Sequence, residues 1–411
     1  MYEMNVITDI DPANVMDIDL GGAEFKANAR KHLYEWATRP PFYVLNNGPA
    51  QVIVGRYADV QEVFNDPERF SSEMPHGPGY EQFDKFMGGK FLTLMDGEQH
   101  SRLRRLMMPA FAPTRIAQME SRIATIIDGF LDDIERKGPQ FDGMADYASR
   151  LVVGALLTAI LGLNDDQKKV LIEFHDVTPL MTTTRPGEPY PEVVHVAHRK
   201  IQRVVQEAID DRRARPRADF ISDLVTARDQ GDRLTDRELS DQVLGVFAAL
   251  ATTPRSGGGA LYMLYTHDEQ RRRLIENPAL IPDAAEECLR IAGNGYFTFP
   301  RFATRDTEVG GTRILKGMVV RPSPQAANLD PLAFADPLRF DITRRPQRIM
   351  TFGSGPHHCI GNALGRKTLI LAIRQLLARF PNARLAVPEF VPEYAGSVGE
   401  LKTKSLPMLT Y

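Results

Sequence analysis

Apolar residues along this chain keep two different periods, and the change between them marks out its elements. Ile116, Met119, Ile123, Ile126, Phe130 and Ile134 recur at three- and four-residue steps, so they share one face of a helix. A second helical stretch covers 192–213, behind a polar, proline-rich connection at 178–191. Residues 57–64 predict a short helix that stops at Asp66 and Pro67. The run 42–55 instead holds two β-prone segments around Asn47 and Gly48, a hairpin signal. The apolar run 151–163 falls short of the ~18–20 residues that span a bilayer and predicts a buried helix.

Residues 238–265 carry a long helical pattern interrupted by Pro254 and the glycines Gly257, Gly258 and Gly259, which predicts a kink that widens the space beside it. Short β-like runs return after residue 295, followed by an irregular stretch at 322–348 and a last helix over 360–379. Residues 71–95 hold Gly and Pro without a sustained period and read as a long loop, of a length that ordinarily serves a ligand. The expected fold is mainly α with a small β-rich lobe, organised as one domain over 1–411. Its parts are an N-terminal segment of about 1–40, a lobe from 41–70 and 295–325, a helical core at 96–290, and a cysteine loop with its following helix at 350–379.

Charge and cysteine content narrow the setting. A formal net charge of -3 lacks the basic excess that a phosphate backbone demands, so no nucleic-acid partner is expected. The first twenty residues have neither a basic nor an apolar leader region, which implies no secretory signal and, with no span, no membrane anchor. Two cysteines, Cys288 and Cys359, form no disulfide framework and suit a reducing cytoplasm.

The informative cysteine is Cys359, in Phe352-Gly353-Ser354-Gly355-Pro356-His357-His358-Cys359-Ile360-Gly361. A glycine-bearing turn before it and a helix after it place its sulfur at a helix N-terminus, where backbone N–H groups favour the thiolate. A buried inert thiol is the plain alternative. A zinc site with His357 and His358 is another, but no second ligand pair stands at the required spacing. The segment resembles in full the haem-binding signature of the cytochrome P-450 family, F-x-x-G-x-H-x-C-x-G. That resemblance, which runs from about residue 40 to the C-terminus, implies the cytochrome P-450 fold, a bound haem b and Cys359 as axial ligand of its iron. Phe352, His357 and Gly361 would then lie against the haem.

Three further segments are similar to the same family. Glu287 and Arg290 stand at i and i+3 on one helix face. They resemble the family's E-x-x-R pair, and Arg339 resembles the third member of that buried structural network. His100 and Arg104, at i and i+4, resemble the family's ligands to a haem propionate, and Arg301 sits where it supplies another. By the same resemblance, Leu244, Phe247, Ala248, Phe297 and Val398 would line the substrate pocket, together with parts of 71–95 and 178–191. Lys85, Lys90 and Arg185 are candidates to hold a carboxylate, against the plain reading of solvent-facing charges.

Ala248-Ala249-Leu250-Ala251-Thr252-Thr253 aligns with the family pattern A-G-x-[D/E]-T-[T/S], whose acid and alcohol relay protons during oxygen activation. Thr252 keeps the alcohol, whereas Ala251 stands in place of the acid. An alcohol relays a proton but is a poor source of one at neutral pH, so delivery here needs another route. The resemblance implies a cytoplasmic, monomeric monooxygenase that inserts one atom of O2 into a small, largely apolar substrate. Its electrons would come from a ferredoxin fed by an NAD(P)H-dependent reductase. A peroxide-driven enzyme and a non-catalytic haem or ligand-binding protein are the alternatives. Arg102, Arg105, Arg344, Arg345, Arg348 and Lys367 are expected to form a basic patch for an acidic partner.

Overall fold

Helices carry most of the chain in the computed structural model, which describes residues 10–45, 50–75, 91–151, 154, 157–183, 188–229, 231–250, 252–293, 295–346, 348–395 and 401–411. They are α1 Ala23–Ala27, α2 Ala29–Thr38, α3 Tyr57–Asn65, α4 Gly97–Met107, α5 Pro113–Lys137, α6 Asp165–Thr183 and α7 Glu192–Ala214. There follow α8 Phe220–Thr226, α9 Asp236–Leu250, α10 Thr253–Thr266, α11 Asp268–Glu276, α12 Ile281–Ile291 and α13 Asn362–Arg379. The apolar stripe of α5 is buried at Ile116, Met119, Ile123, Ile127, Phe130, Leu131 and Ile134, and the helix packs on α13.

Strands β1 Phe42–Val44, β2 Gln51–Val54, β3 Phe70–Ser71, β4 Gln140–Asp142, β5 Arg301–Ala303, β6 Thr307–Val309, β7 Thr312–Ile314 and β8 Val319–Pro322 make the smaller part. Five form one sheet in the order β1-β2-β8-β5-β3, in which only the β2–β8 pair is parallel. The expected hairpin is β1–β2, with Phe42 opposite Ile53; its tip at 46–49 lies outside the described residues. Val60, Val63 and Phe64 of α3 pack on this sheet in a second core. The lobe is therefore built from sequence-distant pieces, as the separate β-prone runs imply.

The long helical pattern at 238–265 is two helices, and the reason differs from a simple kink. Thr235 and Glu238 cap the start of α9 reciprocally, with Glu238 Oε2 accepting from the Thr235 N–H at 2.8 Å and Thr235 Oγ1 accepting from the Glu238 N–H at 3.2 Å. Pro254 lies in the first turn of α10, where a missing N–H costs no hydrogen bond. It starts a helix rather than interrupting one. The three glycines stay helical because neighbours press on them: a Cβ at Gly259 would stand 2.4 Å from the carbonyl oxygen of Ala292. They bring α10 against α12 and against the π-helical turn Gly143–Ala148. Of the run 151–163, Leu151 and Gly154 are π-helical and Leu157–Ala159 is α-helical among the described residues, with Leu151, Leu157, Ile160, Leu161 and Leu163 buried.

Candidate haem-thiolate site

The cysteine loop is held by residues that precede it in the chain. The Met350 N–H donates to Asn328 Oδ1 at 2.6 Å, and Thr351 Oγ1 donates to the carbonyl of Leu289 on α12 at 2.7 Å. Gly355 adopts φ of +68°, and a Cβ there would meet the carbonyl of Phe64 at 2.5 Å, so this turn requires glycine. The Cys359 N–H then donates to Phe352 O at 2.9 Å, and α13 begins three residues later. Cys359 is exposed, yet enough protein stands behind it that burial pushes its thiol pKa up. The Gly361 N–H bond, Arg104 and Arg366 pull the other way. Arg366 lies over the Phe352 ring at 4.3 Å and pairs with Glu286.

Beneath the loop, Arg290 and Glu287 are fully buried and joined by two hydrogen bonds of 2.7 Å. Arg290 also donates to the carbonyls of Asn328 and Pro337, each at 2.8 Å. The expected third member is corrected here. The side chain of Arg339 is 66% exposed, and only its backbone carbonyl accepts from Arg290. Arg344 supplies the third side chain, donating from Nε to Glu287 Oε1 at 3.1 Å. An irregular segment carries no period from which to read which of two arginines turns inward.

A second cluster lies on α4 and β5. His357 Nε2 meets Asp96 Oδ1 at 2.8 Å, and the His100 ring lies 4.3 Å from that of His357. Burial would raise the Asp96 pKa, but His357, Ser71 and the Ser72 N–H outweigh it and hold the carboxylate at about 2. Burial, with His357 and Arg104 adding to it, lowers His100 to about 4, so it is neutral near pH 7. Its Nε2 is buried without a hydrogen-bond partner among the described residues. Arg301 is buried, lowered to about 10 by that burial against the pull of Asp96, and its Nη1 reaches only the carbonyls of Phe299 and Pro300, both at 3.2 Å. A buried cation without a close carboxylate and an orphaned imidazole nitrogen are what the acid groups of a haem would satisfy. Arg104, grouped with them from the sequence, donates from Nη2 to the carbonyl of His358 at 2.7 Å.

Leu244 and Phe247 are buried on α9, and Thr252 Oγ1 donates to the carbonyl of Ala249 at 3.0 Å. Ala251, Val398, Lys85, Lys90 and Arg185 lie outside the described residues, as does the side chain of Ala248. The ring of Phe297 stacks on Trp36 of α2 at 5.5 Å and 13°, with Arg321 over it. Phe299, two residues on, is 50% exposed.

The expected basic patch is mostly neutralised. Arg102 pairs with Asp232 and Glu238, Arg105 with Asp229, Arg344 with Glu287, Arg345 with Asp283 and Lys367 with Glu120. Asp96, Asn328 and Arg366 escaped the sequence reading. Asp96 alone left a signal, standing just ahead of the α4 pattern.

A mainly helical fold that presents one cysteine at a helix N-terminus, beside buried groups suited to carboxylates, is that of a haem-thiolate protein. Residues 32–384 match the cytochrome P-450 family model. The chain is 36% identical to nocardicin C N-oxygenase of Nocardia uniformis subsp. tsuyamanensis, over 84% of this chain and 86% of that one. It is 34% identical to mycinamicin IV hydroxylase/epoxidase of Micromonospora griseorubida, over 85% and 86%. The crystal structure of the LnmA cytochrome P-450 hydroxylase from the leinamycin biosynthetic pathway of Streptomyces atroolivaceus superposes with a TM-score of 0.77 at 32% identity, covering 93% of this chain and 95% of that one. The chain belongs to the cytochrome P-450 family and is a monooxygenase of the haem-thiolate class. No helix among its described residues is long and apolar enough to cross a membrane.

Proposed function

We propose that this monooxygenase holds haem b through Cys359 and inserts one atom of O2 into a small, largely apolar substrate, as a cytoplasmic monomer supplied with electrons by a ferredoxin and its NAD(P)H-dependent reductase. The observation that carries this reading is the Cys359 sulfur at the head of α13, with the Gly361 N–H directed at it and the anion-seeking His100 and Arg301 nearby. His100, Arg104, Arg301 and His357 would hold the haem carboxylates, and Gly361 and Phe352 would lie against its face. When bound, the haem supplies the iron that activates oxygen, and a thiolate donor assists cleavage of the O–O bond.

The chain's own part is to hold and move protons. The Thr252 hydroxyl donates to Ala249 O and still has lone pairs to accept with, so it can pass a proton that another group supplies. With alanine at 251, that supply comes through water, from the substrate, from another side chain or from an acid elsewhere. Leu244 and Phe247 offer an apolar wall, which suits substrates with little polar surface. A panel of terpenoid, steroid, fatty and aromatic compounds titrated into the oxidised protein tests the substrate class: a low-to-high spin change with an apolar member is expected, and a response confined to polar members contradicts it. Ala251 also motivates a peroxide-driven reading. Turnover with hydrogen peroxide that equals turnover with ferredoxin and reductase would establish it.

A further inference from the structure

We infer that Ser72, one residue past the end of β3, is a further donor to a haem carboxylate, and that Asp96 is the positioning residue that fixes it together with His357. This rests on the reading that haem is bound through Cys359 with its carboxylates held by His100, Arg104, Arg301 and His357. Strands β3 and β5 run antiparallel, with Phe70 opposite Ala303 and Ser71 opposite Phe302. One step further in that register, Ser72 stands opposite Arg301, and opposite residues of an antiparallel pair turn their side chains to the same face of the sheet. Phe70 and Ala303, two residues back on each strand, lie in one buried cluster with Phe64, and the guanidinium of Arg301 lies over the Phe64 ring at 5.5 Å. The Ser72 hydroxyl is thus set beside a cation already read as a carboxylate ligand. Ser72 is 1% exposed, and among the described residues its Oγ has no hydrogen-bond partner, as is true of His100 Nε2. A buried hydroxyl left without a partner is unfavourable, and a charged acceptor satisfies it most strongly. The hydroxyl of the neighbouring Ser71 is by contrast in use, donating to Asp96 Oδ2 at 2.8 Å and accepting from the Glu73 N–H at 3.0 Å.

Asp96 stands at the N-cap of α4, where an aspartate ordinarily accepts from the first N–H groups of its own helix, yet its side chain makes no such bond. Both of its oxygens are committed elsewhere. Oδ2 accepts from the Ser72 N–H at 2.7 Å as well as from Ser71, and Oδ1 meets His357 Nε2 at 2.8 Å. One carboxylate therefore ties the end of β3 to the cysteine loop. With Nε2 engaged, His357 has Nδ1 left to offer a haem carboxylate, and the same bond network holds the Ser72 backbone so that its hydroxyl stays on the Arg301 side. A carboxylate behind a ligating histidine fixes the orientation of the ring, and here it fixes a second donor as well.

The test compares the parent with Ser72→Ala, Ser72→Thr and Asp96→Asn, each purified with haem. Two quantities are read: the rate at which ferric haem passes to excess apomyoglobin, and the positions of the haem-carboxylate bending bands in the resonance Raman spectrum. Ser72→Ala should lose haem about 10-fold faster and shift a bending band, while its ferrous carbonyl band stays that of the parent. Ser72→Thr keeps the hydroxyl and should keep the parent's bending bands. Asp96→Asn should shift them, and Ser72→Ala added to it should speed haem loss by less than about 2-fold more, because the two residues act through one contact. A Ser72→Ala protein with the parent's bending bands would overturn the donor assignment even if it loses haem faster, since a packing defect speeds loss without moving those bands. Rate effects of the two substitutions that multiply would overturn the positioning role of Asp96. If Asp96→Asn yields no haem protein, Asp96→Glu takes its place in the same comparison. A parent without haem, or without the thiolate red shift of its carbonyl band, would sink the haem-thiolate reading itself, a result distinct from unmoved variants of a normal parent.

Discussion

Glu287 shows at the residue scale how a carboxylate is judged by its surroundings rather than its spacing. Fully buried, it receives Arg290, Arg344 and the Asp341 N–H. Glu287→Ala would leave Arg290 buried and uncompensated, a loss of about 3–5 kcal/mol. Arg344→Ala should destabilise clearly, while Arg339→Ala should stay within about 0.5 kcal/mol, because its side chain is solvated. Chemical unfolding of the three variants checks the order, and an Arg339 variant as damaging as Arg344 would contradict it. Glu287 and Arg290 were legible because i and i+3 residues share a helix face; Arg344 was not, since the 322–348 stretch has no period. At the reaction, Ala251→Asp should raise product formed per electron consumed. Equal coupling in variant and parent would show that position 251 does not limit proton supply.

At the scale of elements, close packing explains what the hydrophobic pattern left ambiguous. The break between α9 and α10 was visible as Pro254 and three glycines, but its cause was not. Proline opens α10 and the glycines admit its neighbours. Gly259 abuts backbone, so Gly259→Ala must displace α10 from Ala292 and should cost about 1–3 kcal/mol. At Gly258 the nearest atom is the sulfur of Met144, the far end of a flexible side chain, so Gly258→Ala should be near neutral, the gain in helix propensity of up to ~1 kcal/mol offsetting the crowding. Thermal unfolding of the two variants separates these cases, and equal losses would refute the distinction.

Helix α7 carries a second test at this scale. Burial, with His195 and Arg237 adding to it, holds His198 down at about 4. A histidine with a folded-state pKa below its unfolded value is protonated more readily in the unfolded chain, so acid favours unfolding. This loss begins below the unfolded value of ~6.5, reaches about 2 kcal/mol at pH 5 and is complete below about 4. The stability of His198→Gln should fall less steeply than the parent's between pH 7 and 5, keeping the part that His100 contributes. A variant with the parent's pH profile would contradict the assignment.

Across the whole molecule, the fold class was legible because a helix-dominated pattern with β-prone runs at both ends of the core admits few architectures. The loop–helix passage at Cys359 was legible because glycine, histidine and cysteine stand in a fixed register there. What the sequence concealed is charge pairing between distant segments. Arginines on α4 that read as a docking patch are matched by Asp229, Asp232 and Glu238, which lie more than a hundred positions along. The proposed acidic electron donor should therefore gain little charge steering from α4. The triple variant Asp229→Asn, Asp232→Asn, Glu238→Gln, which removes the acidic partners of Arg102 and Arg105, should speed reduction at low salt and lose that advantage at high salt. An unchanged rate would mean that the donor docks elsewhere.

The most direct test of the central claim is the absorption spectrum of the purified, reduced protein under carbon monoxide, taken beside that of Cys359→Ser. Thiolate ligation predicts a strongly red-shifted ferrous carbonyl band in the parent that the serine variant lacks. A parent without haem, or one whose carbonyl band matches that of a histidine-ligated globin, would contradict the account.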